Sequence, residues 1–282
     1  MQTIYKPNGR AKEYALLALE LYRCDSHPRG GCVHGCSYCY VPGCLRLSGA
    51  QFRTGVRPRE DIIGALSHDA PRFTGTDKRV LLSFFSDPYQ PGVVNITRHA
   101  LAILHGLQIP FMVLTKCGTP YVQDDFDLYG SDDAFGVTLT TLDNRGAAVT
   151  EPLAGSPLRR INNLGVAKSK GIHTYVSLEP VLDPAATLRI IEETHDLVDH
   201  YNVGKLNHNP GAERAIDWRL FGVQAIKRLE CFGKTYTIKD DLRRFLDGIP
   251  YTQTEHRTVD VRGVRVHRAA IRKPGPGAPR PA

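Results

Sequence analysis

The sequence contains no apolar run near the roughly 20 residues that a membrane-spanning helix needs, and no N-terminal stretch built like a signal peptide. A cytoplasmic protein is expected. Walker A, GxGxxG, HExxH and GxSxG motifs are also missing, so no motif supports nucleotide-loop, dinucleotide, zinc-protease or serine-hydrolase chemistry. Cysteine is scarce and odd in number, seven in 282 residues, and a chain of this length buries a full core without disulfides. In a reducing compartment such thiols serve as metal ligands or redox groups before they serve as staples. Net positive charge is nearly absent from the body. Of the net +7, residues 256–282 hold seven Lys/Arg against Asp260, giving +6 and leaving +1 for the rest.

That tail ends in RKPGPGAPRPA, a Pro/Gly/Arg composition that cannot bury enough apolar surface to fold alone. It predicts a disordered basic extension over 247–282, following one domain over 1–246. A basic tail can hold phosphate backbones non-specifically, so nucleic acid is one expected partner of the extension, and plain solvation is the other reading.

Within the body, apolar β-rich runs alternate with amphipathic segments. Strands are expected inside ALLALELYRC, RVLLSFFSD, IPFMVLTKC, AFGVTLTTLD, IHTYVSLEPVLD and HYNVGKLN, with helices between them. Ser156-Pro157 reads as an N-cap with proline at the first helical position, in a helix stopping at Gly171. The rhythm gives about six βα units, fewer than the eight of a closed barrel, so the expected fold is an α/β partial (β/α)6 TIM-type barrel of parallel strands. In such sheets ligands sit beyond the carboxyl ends of the strands, where Cys24, Asp87, Lys116, Asp143, Glu179 and Lys205 would converge.

The chemistry concentrates in GCVHGCSYCYVPGC, where Cys32, Cys36 and Cys39 are spaced C-x3-C-x2-C among glycines. A structural zinc site wants two separated ligand pairs and the chain has no second pair, although Cys44 and His34 could complete a set of four. Three thiolates on an iron–sulfur cube leave one iron open to a small molecule.

CVHGCSYC, with Tyr38 before the third cysteine, resembles the cluster loop of the radical S-adenosylmethionine superfamily. SDPYQP and TTLD extend the resemblance to the branch that is similar to spore photoproduct lyase and described as DNA repair photolyase-like, over roughly residues 20–245. The resemblance implies that Cys32, Cys36 and Cys39 hold a [4Fe-4S] cluster whose open iron binds S-adenosylmethionine. It implies reductive cleavage to methionine and a 5′-deoxyadenosyl radical that abstracts hydrogen from substrate, a nucleic-acid base or nucleotide among the candidates. It also implies an electron donor such as flavodoxin or ferredoxin.

Under the same resemblance Ser86 and Asp87 would meet the cofactor ammonium, the other reading being an Asp-Pro turn. Lys205, after the last expected strand, could bind the cofactor carboxylate or a substrate anion, with Lys116 and Arg160 as rival cations. Tyr38 could pack on cluster or adenine. Thr138 and Thr140 share a strand face, either interior or helix-packed. Glu179 stands at the mouth. Cys117 is either a hydrogen-atom donor or a small core hydrophobe. Phe84 and Phe85 occupy the place where the lyase keeps its donor cysteine. The competing reading, from another class, is a non-catalytic metal-binding protein that holds nucleic acid through its tail.

Overall fold

The computed structural model describes residues 3–22, 31–91, 93–207, 209–259 and 264–265. Strands β1 (Ile4–Tyr5), β2 (Leu17–Leu19), β3 (Val80–Leu82), β4 (Phe111–Thr115), β5 (Ala134–Thr138), β6 (His173–Leu178), β7 (His200–Val203) and β8 (Thr235–Ile238) form one sheet in chain order. β2 to β8 pair in parallel, whereas β1 lies antiparallel on β2. β8 and β1 end the sheet without pairing, so the barrel is open. A partial TIM-type barrel is thus the fold, with one more parallel strand than the six βα units expected. The extra strand, β8, is TYTI, four residues after Lys234, too short for its period to stand out.

Short helices α1 (Val41–Cys44) and α2 (Gly49–Phe52) follow the cysteine loop, then α3 (Ile62–Asp69), α4 (Val94–Gly106), α5 (Asn144–Thr150), α6 (Pro157–Ser169), α7 (Pro184–Thr194), α8 (Pro210–Ala215), α9 (Trp218–Cys231) and α10 (Asp240–Arg243). Their starts are chemically marked. Ser156 accepts from Arg159 N with Pro157 inside the first turn, and Asp143, Asp183 and Asp217 cap α5, α7 and α9. As expected, α6 ends just before Gly171, whose φ of +76° suits glycine. No described helix is long and apolar enough to cross a membrane.

Strand alternation sorts the side chains. Phe111, Val113, Phe135, Val137, Val176, Leu178, Tyr201 and Val203 pack outward into the main core. Inward, Leu81, Met112, Leu114 and Ala134 form an apolar wall with Phe84 and Tyr14, over which the Tyr175 ring lies. Gly136 permits this: a Cβ there would sit 2.5 Å from that ring. The inward positions of β6 to β8 are polar instead: His173, Ser177, His200, Asn202, Thr235 and Thr237.

Residues 253–259, assigned by composition to the extension, are ordered and plug the barrel floor. Thr237 donates to Thr254 O, Arg79 N donates to Arg257 O, and Lys78 bridges Thr258. The Arg79 guanidinium donates to the carbonyls of Asp132, His256 and Thr258. The His256 ring stacks on His200, with centroids 4.3 Å apart, and lies 4.5 Å from Tyr175 and 5.4 Å from His173. One aromatic anchor and three carbonyl contacts hold a segment that composition alone marks as soluble. Most of the basic tail lies outside the described residues.

Burial pushes the imidazoles of His256 and His200 well below their ordinary range, helped by the positive charges of Arg79 and Lys239 and by each other or His173. Burial, then Arg79, brings His173 down to about 4. An unfolded histidine titrates near 6.5, so folding with neutral rings is favoured above that pH and loses this contribution as pH falls toward the folded values. At pH 5 one such ring costs about 2 kcal/mol, from roughly 1.5 pKa units. The urea midpoint should fall on acidification, and the fall should be shallower for His256→Phe, which keeps a flat ring in the stack. Equal pH slopes for the two proteins would clear the floor histidines of that role.

Candidate functional site

The loop carrying Cys32, Cys36 and Cys39 lies across the mouth formed by the carboxyl ends of the strands, and the SDPYQ segment after β3 clamps it there. Gln90, fully buried, donates to Gly31 O at 3.0 Å and accepts from Val33 N at 2.7 Å. Ser86 donates to Gly31 O and accepts from Gln90. Asp87 Oδ1 accepts from Tyr89 N and the Thr115 hydroxyl, while Oδ2 accepts from Lys116 N and lies 3.2 Å from His34 Nε2. Burial opposes this carboxylate, yet the His34 imidazole and the donors outweigh it and hold the group at about 2. Ser86 and Asp87 are therefore engaged by the chain's own groups at the mouth, as supports of the cysteine loop.

Six described cysteines are free, including the three of the loop; Cys24 lies outside the described residues. Cys36 is buried, and Cys32 and Cys39 pack with Phe85 against Val41, Leu47 and Phe52. Burial raises all three bare thiols, Cys32 to about 12, against the pull of the Lys116 ammonium. Among the described residues no three His, Cys, Asp or Glu side chains are grouped closely enough for a single metal ion. A cube, in contrast, takes one thiolate on each of three irons and spaces its ligands more widely. Three free sulfur donors on one loop, set in an apolar nest and facing a lysine, fit such a group.

Beside the loop lies a buried ion pair that sequence reasoning did not assemble. Glu151 Oε2 accepts from Arg160 Nη2, and its Oε1 accepts from the Tyr38 hydroxyl and, at 3.2 Å, from Thr140. Arg160 also donates to Thr138 O and Gly155 O, at 2.8 and 2.7 Å. Both side chains are 1% exposed. Burial opposes the Glu151 charge, but Arg160 and Lys116 lower its pKa below the ordinary value. Thr138 and Thr140 take the same strand face as Ala134 and Gly136, which is the interior. The Lys116 ammonium lies 5.7 Å from the Tyr38 ring centroid and, among the described residues, has no carboxylate within 4 Å. Burial works against its charge, but Cys36 and Glu151 raise its pKa.

Across the mouth, Glu179 Oε1 accepts from Tyr14 at 3.1 Å and Oε2 accepts from Ser177 at 3.3 Å. A Cβ on Gly204 would fall 2.1 Å from Glu179 Oε1, so the glycine makes room for the carboxylate. Lys239, at the end of β8, donates to Glu13 O at 2.8 Å and sits 3.7 Å over the Tyr14 ring. Burial raises Glu179 and lowers Lys239, each shift tempered by the other's charge. Glu20 ends β2, accepts from Phe84 N, Phe85 N and Tyr5, and burial raises it to about 7.

Two expectations are corrected by strand parity. Lys205 shares the outward face of Tyr201 and Val203, and its ammonium pairs with Glu213 and Leu206 O beside Trp218, away from the interior. Cys117 shares the outward face of Val113 and Thr115, with Sγ against Thr119 at 2.9 Å in the outer core. Counting by twos from the apolar strand residues would have placed both outside and Lys116 inside. No local signal marks Gln90, Glu151 or Tyr14.

The architecture belongs to the partial-barrel class used by radical S-adenosylmethionine enzymes. The chain superposes on a spore photoproduct lyase mutant with bound AdoMet and dinucleoside spore photoproduct, at a TM-score of 0.62 and 13% identity over 82% of this chain and 78% of that one. Streptococcus suis SuiB bound to S-adenosylmethionine gives a TM-score of 0.54 at 12% identity over 80% of this chain and 51% of its own. In sequence, the chain is 26% identical over 181 residues to the uncharacterized protein ORF301 of Acidianus two-tailed virus, covering 60% of this chain. That match spans 59% of the viral protein's length. No family model matches. The fold is that of spore photoproduct lyase.

Removing one member of a buried ion pair strands the other charge. Arg160→Met should therefore cost about 3–5 kcal/mol in urea unfolding, and adding Glu151→Gln should restore part of the loss. A single variant as stable as wild type would show that the pair carries no such weight.

Proposed function

We propose that the chain is a radical S-adenosylmethionine enzyme, with Cys32, Cys36 and Cys39 as ligands of a [4Fe-4S] cluster. The observation that carries the reading is the placement of three free thiols on one clamped loop over the mouth of a lyase-like barrel. When bound, cluster and S-adenosylmethionine supply a one-electron cleavage of the sulfonium and a carbon radical able to take hydrogen from substrate.

The chain's own residues then have definite tasks. Ser86, Asp87 and Gln90 fix the loop. Lys116, a cation without a carboxylate within 4 Å among the described residues, offers its ammonium to the cofactor carboxylate. The apolar wall of Leu81, Met112 and Leu114 keeps water from the reacting atoms. Tyr14, Glu179 and Lys239, with Asn202 and Thr237 below them, form the polar wall that orients substrate. This array of amide, hydroxyl and ionisable groups suits a nucleic-acid base or nucleotide, the class to which the lyase's dinucleoside belongs. Cys44 and Cys231 are exposed and Cys117 faces the outer core, so among the described cysteines the reading assigns none the return of hydrogen to a product.

Anaerobic reconstitution with iron and sulfide should give about four irons per chain and formation of 5′-deoxyadenosine from S-adenosylmethionine. Alanine at Cys32, Cys36 or Cys39 should abolish both, whereas Cys44→Ala and Cys117→Ala should retain them. Lys116→Met should keep the iron but weaken S-adenosylmethionine binding about tenfold or more in equilibrium dialysis, the loss of one charge-assisted hydrogen bond. An intact cluster without cleavage would sink the proposal.

A further inference from the structure

We propose that Val149, Leu153 and Leu158, rimmed by Arg145, Arg159 and Arg53, form the docking surface for a small acidic electron-transfer protein of the flavodoxin or ferredoxin kind. The inference rests on the reading that the cysteine loop holds a redox cluster.

Three large apolar side chains in ten residues are strongly exposed: Val149 at 77%, Leu153 at 68% and Leu158 at 68%. They stand on the end of α5, the turn after it and the start of α6. Exposed apolar residues scattered singly need no explanation, but a group on one helix–turn–helix does. Neither helix needs them for packing, because α5 buries Ala147 and α6 buries Leu164 and Ala167.

What lies behind the patch is the cysteine loop. Leu153 N donates to His34 O at 3.1 Å, and Ser37 N donates to Thr150 O at 2.8 Å. A Cβ on Gly35 would stand 3.2 Å from Pro152 and 3.7 Å from Arg53 Nε. The backbone between Cys32 and Cys39 is thus bonded directly to the turn that carries this surface, which gives a docked protein a short path to the loop.

Charge selects the partner. Arg145 precedes Val149 by four residues and shares its helix face, Arg159 adjoins Leu158, and Arg53 flanks Gly35; all three are exposed. The acids of the same stretch are already engaged: Asp143 by the amides of Arg145 and Gly146, and Glu151 by Arg160. A basic rim around an apolar centre favours an acidic protein and speeds its encounter at low salt. Redox encounters use small interfaces, under about 1,200 Å², which a patch of this size serves.

The electron balance requires such a partner. Each reductive cleavage breaks one carbon–sulfur bond of the sulfonium, leaving neutral methionine and a carbon radical, and consumes one electron. A reduced flavin or iron–sulfur donor supplies it and is oxidised by one electron.

Reconstituted protein should be titrated separately with a flavodoxin and a [2Fe-2S] ferredoxin. At least one should bind, more weakly as salt rises. Val149→Asp with Leu153→Asp, and separately Arg145→Glu with Arg159→Glu, should weaken that binding about tenfold or more. The same variants should lose donor-driven cleavage by a similar factor while dithionite-driven cleavage stays at the wild-type level. Wild-type binding and donor-driven turnover in both double variants, or no binding of either donor to wild type, would overturn the surface. Failure of dithionite to drive cleavage in wild type would instead overturn the cluster reading, and the titrations would still decide whether the surface binds these donors.

Discussion

The carboxylate of Asp87 joins the parts on which every later feature depends. Its two oxygens reach the cysteine loop through His34, its own turn through Tyr89 N, and the end of the next strand through Thr115 and Lys116 N. A charge this buried is costly unless several donors point at it, and here they do. The consequence is geometric: the loop, the β3 turn and the Lys116 position cannot move separately. With Gln90 and Ser86 gripping Gly31 and Val33, a glycine-rich segment with little secondary structure of its own becomes a fixed platform.

The interior divides chemically along the sheet. Strands β3 to β5 contribute aliphatic side chains, and β6 to β8 contribute hydroxyl, amide, imidazole and ionisable groups. A uniformly apolar lumen could shield a reactive centre but could not orient a polar substrate; a uniformly polar one would admit water. The two glycines at 136 and 204 belong to this division, since each leaves space for a neighbouring strand's long side chain, Tyr175 and Glu179, to lie across the lumen. Lys239 stands on a strand beyond the six βα units, so the additional strand adds a cation to the polar wall as well as closing more of the circumference.

How much of this could be read from the sequence follows from how local each signal is. The spacing of Cys32, Cys36 and Cys39, the apolar strand runs and the Ser156-Pro157 cap are all written within a few residues, and they were legible. Gln90 and Gly31 are 59 residues apart, Tyr14 and Glu179 are 165 apart, and neither pair leaves a mark on its own neighbourhood. Lys205 and Cys117 are different: the information was present, because alternation along β7 and β4 already turns them to the outer face. Chemical plausibility at a strand end outweighed parity, and parity was the stronger constraint. The ordered 253–259 segment shows the opposite limit. Its composition reads as solvated, but one ring entering a cavity of matching rings, with the Arg79 guanidinium collecting two of its carbonyls, supplies what composition does not reveal.

Under the proposed function the site would have to reconcile two opposed demands. Radical chemistry needs a dry, closed chamber, whereas reduction needs the same centre to be close to the outside. The chain separates these demands on two sides of one loop. On one side, Cys32 and Cys39 pack against the nest of Val41, Leu47 and Phe52. Outward, the loop backbone meets the turn between α5 and α6, through His34 O and Thr150 O. Glu151 sits in that turn, is neutralised by Arg160 and accepts from Tyr38, so the carboxylate beside the platform adds no net negative charge there. The buried pair thereby does two things at once: it anchors the turn to β5 through Thr138 O and Thr140, and it leaves the face outside the loop positive.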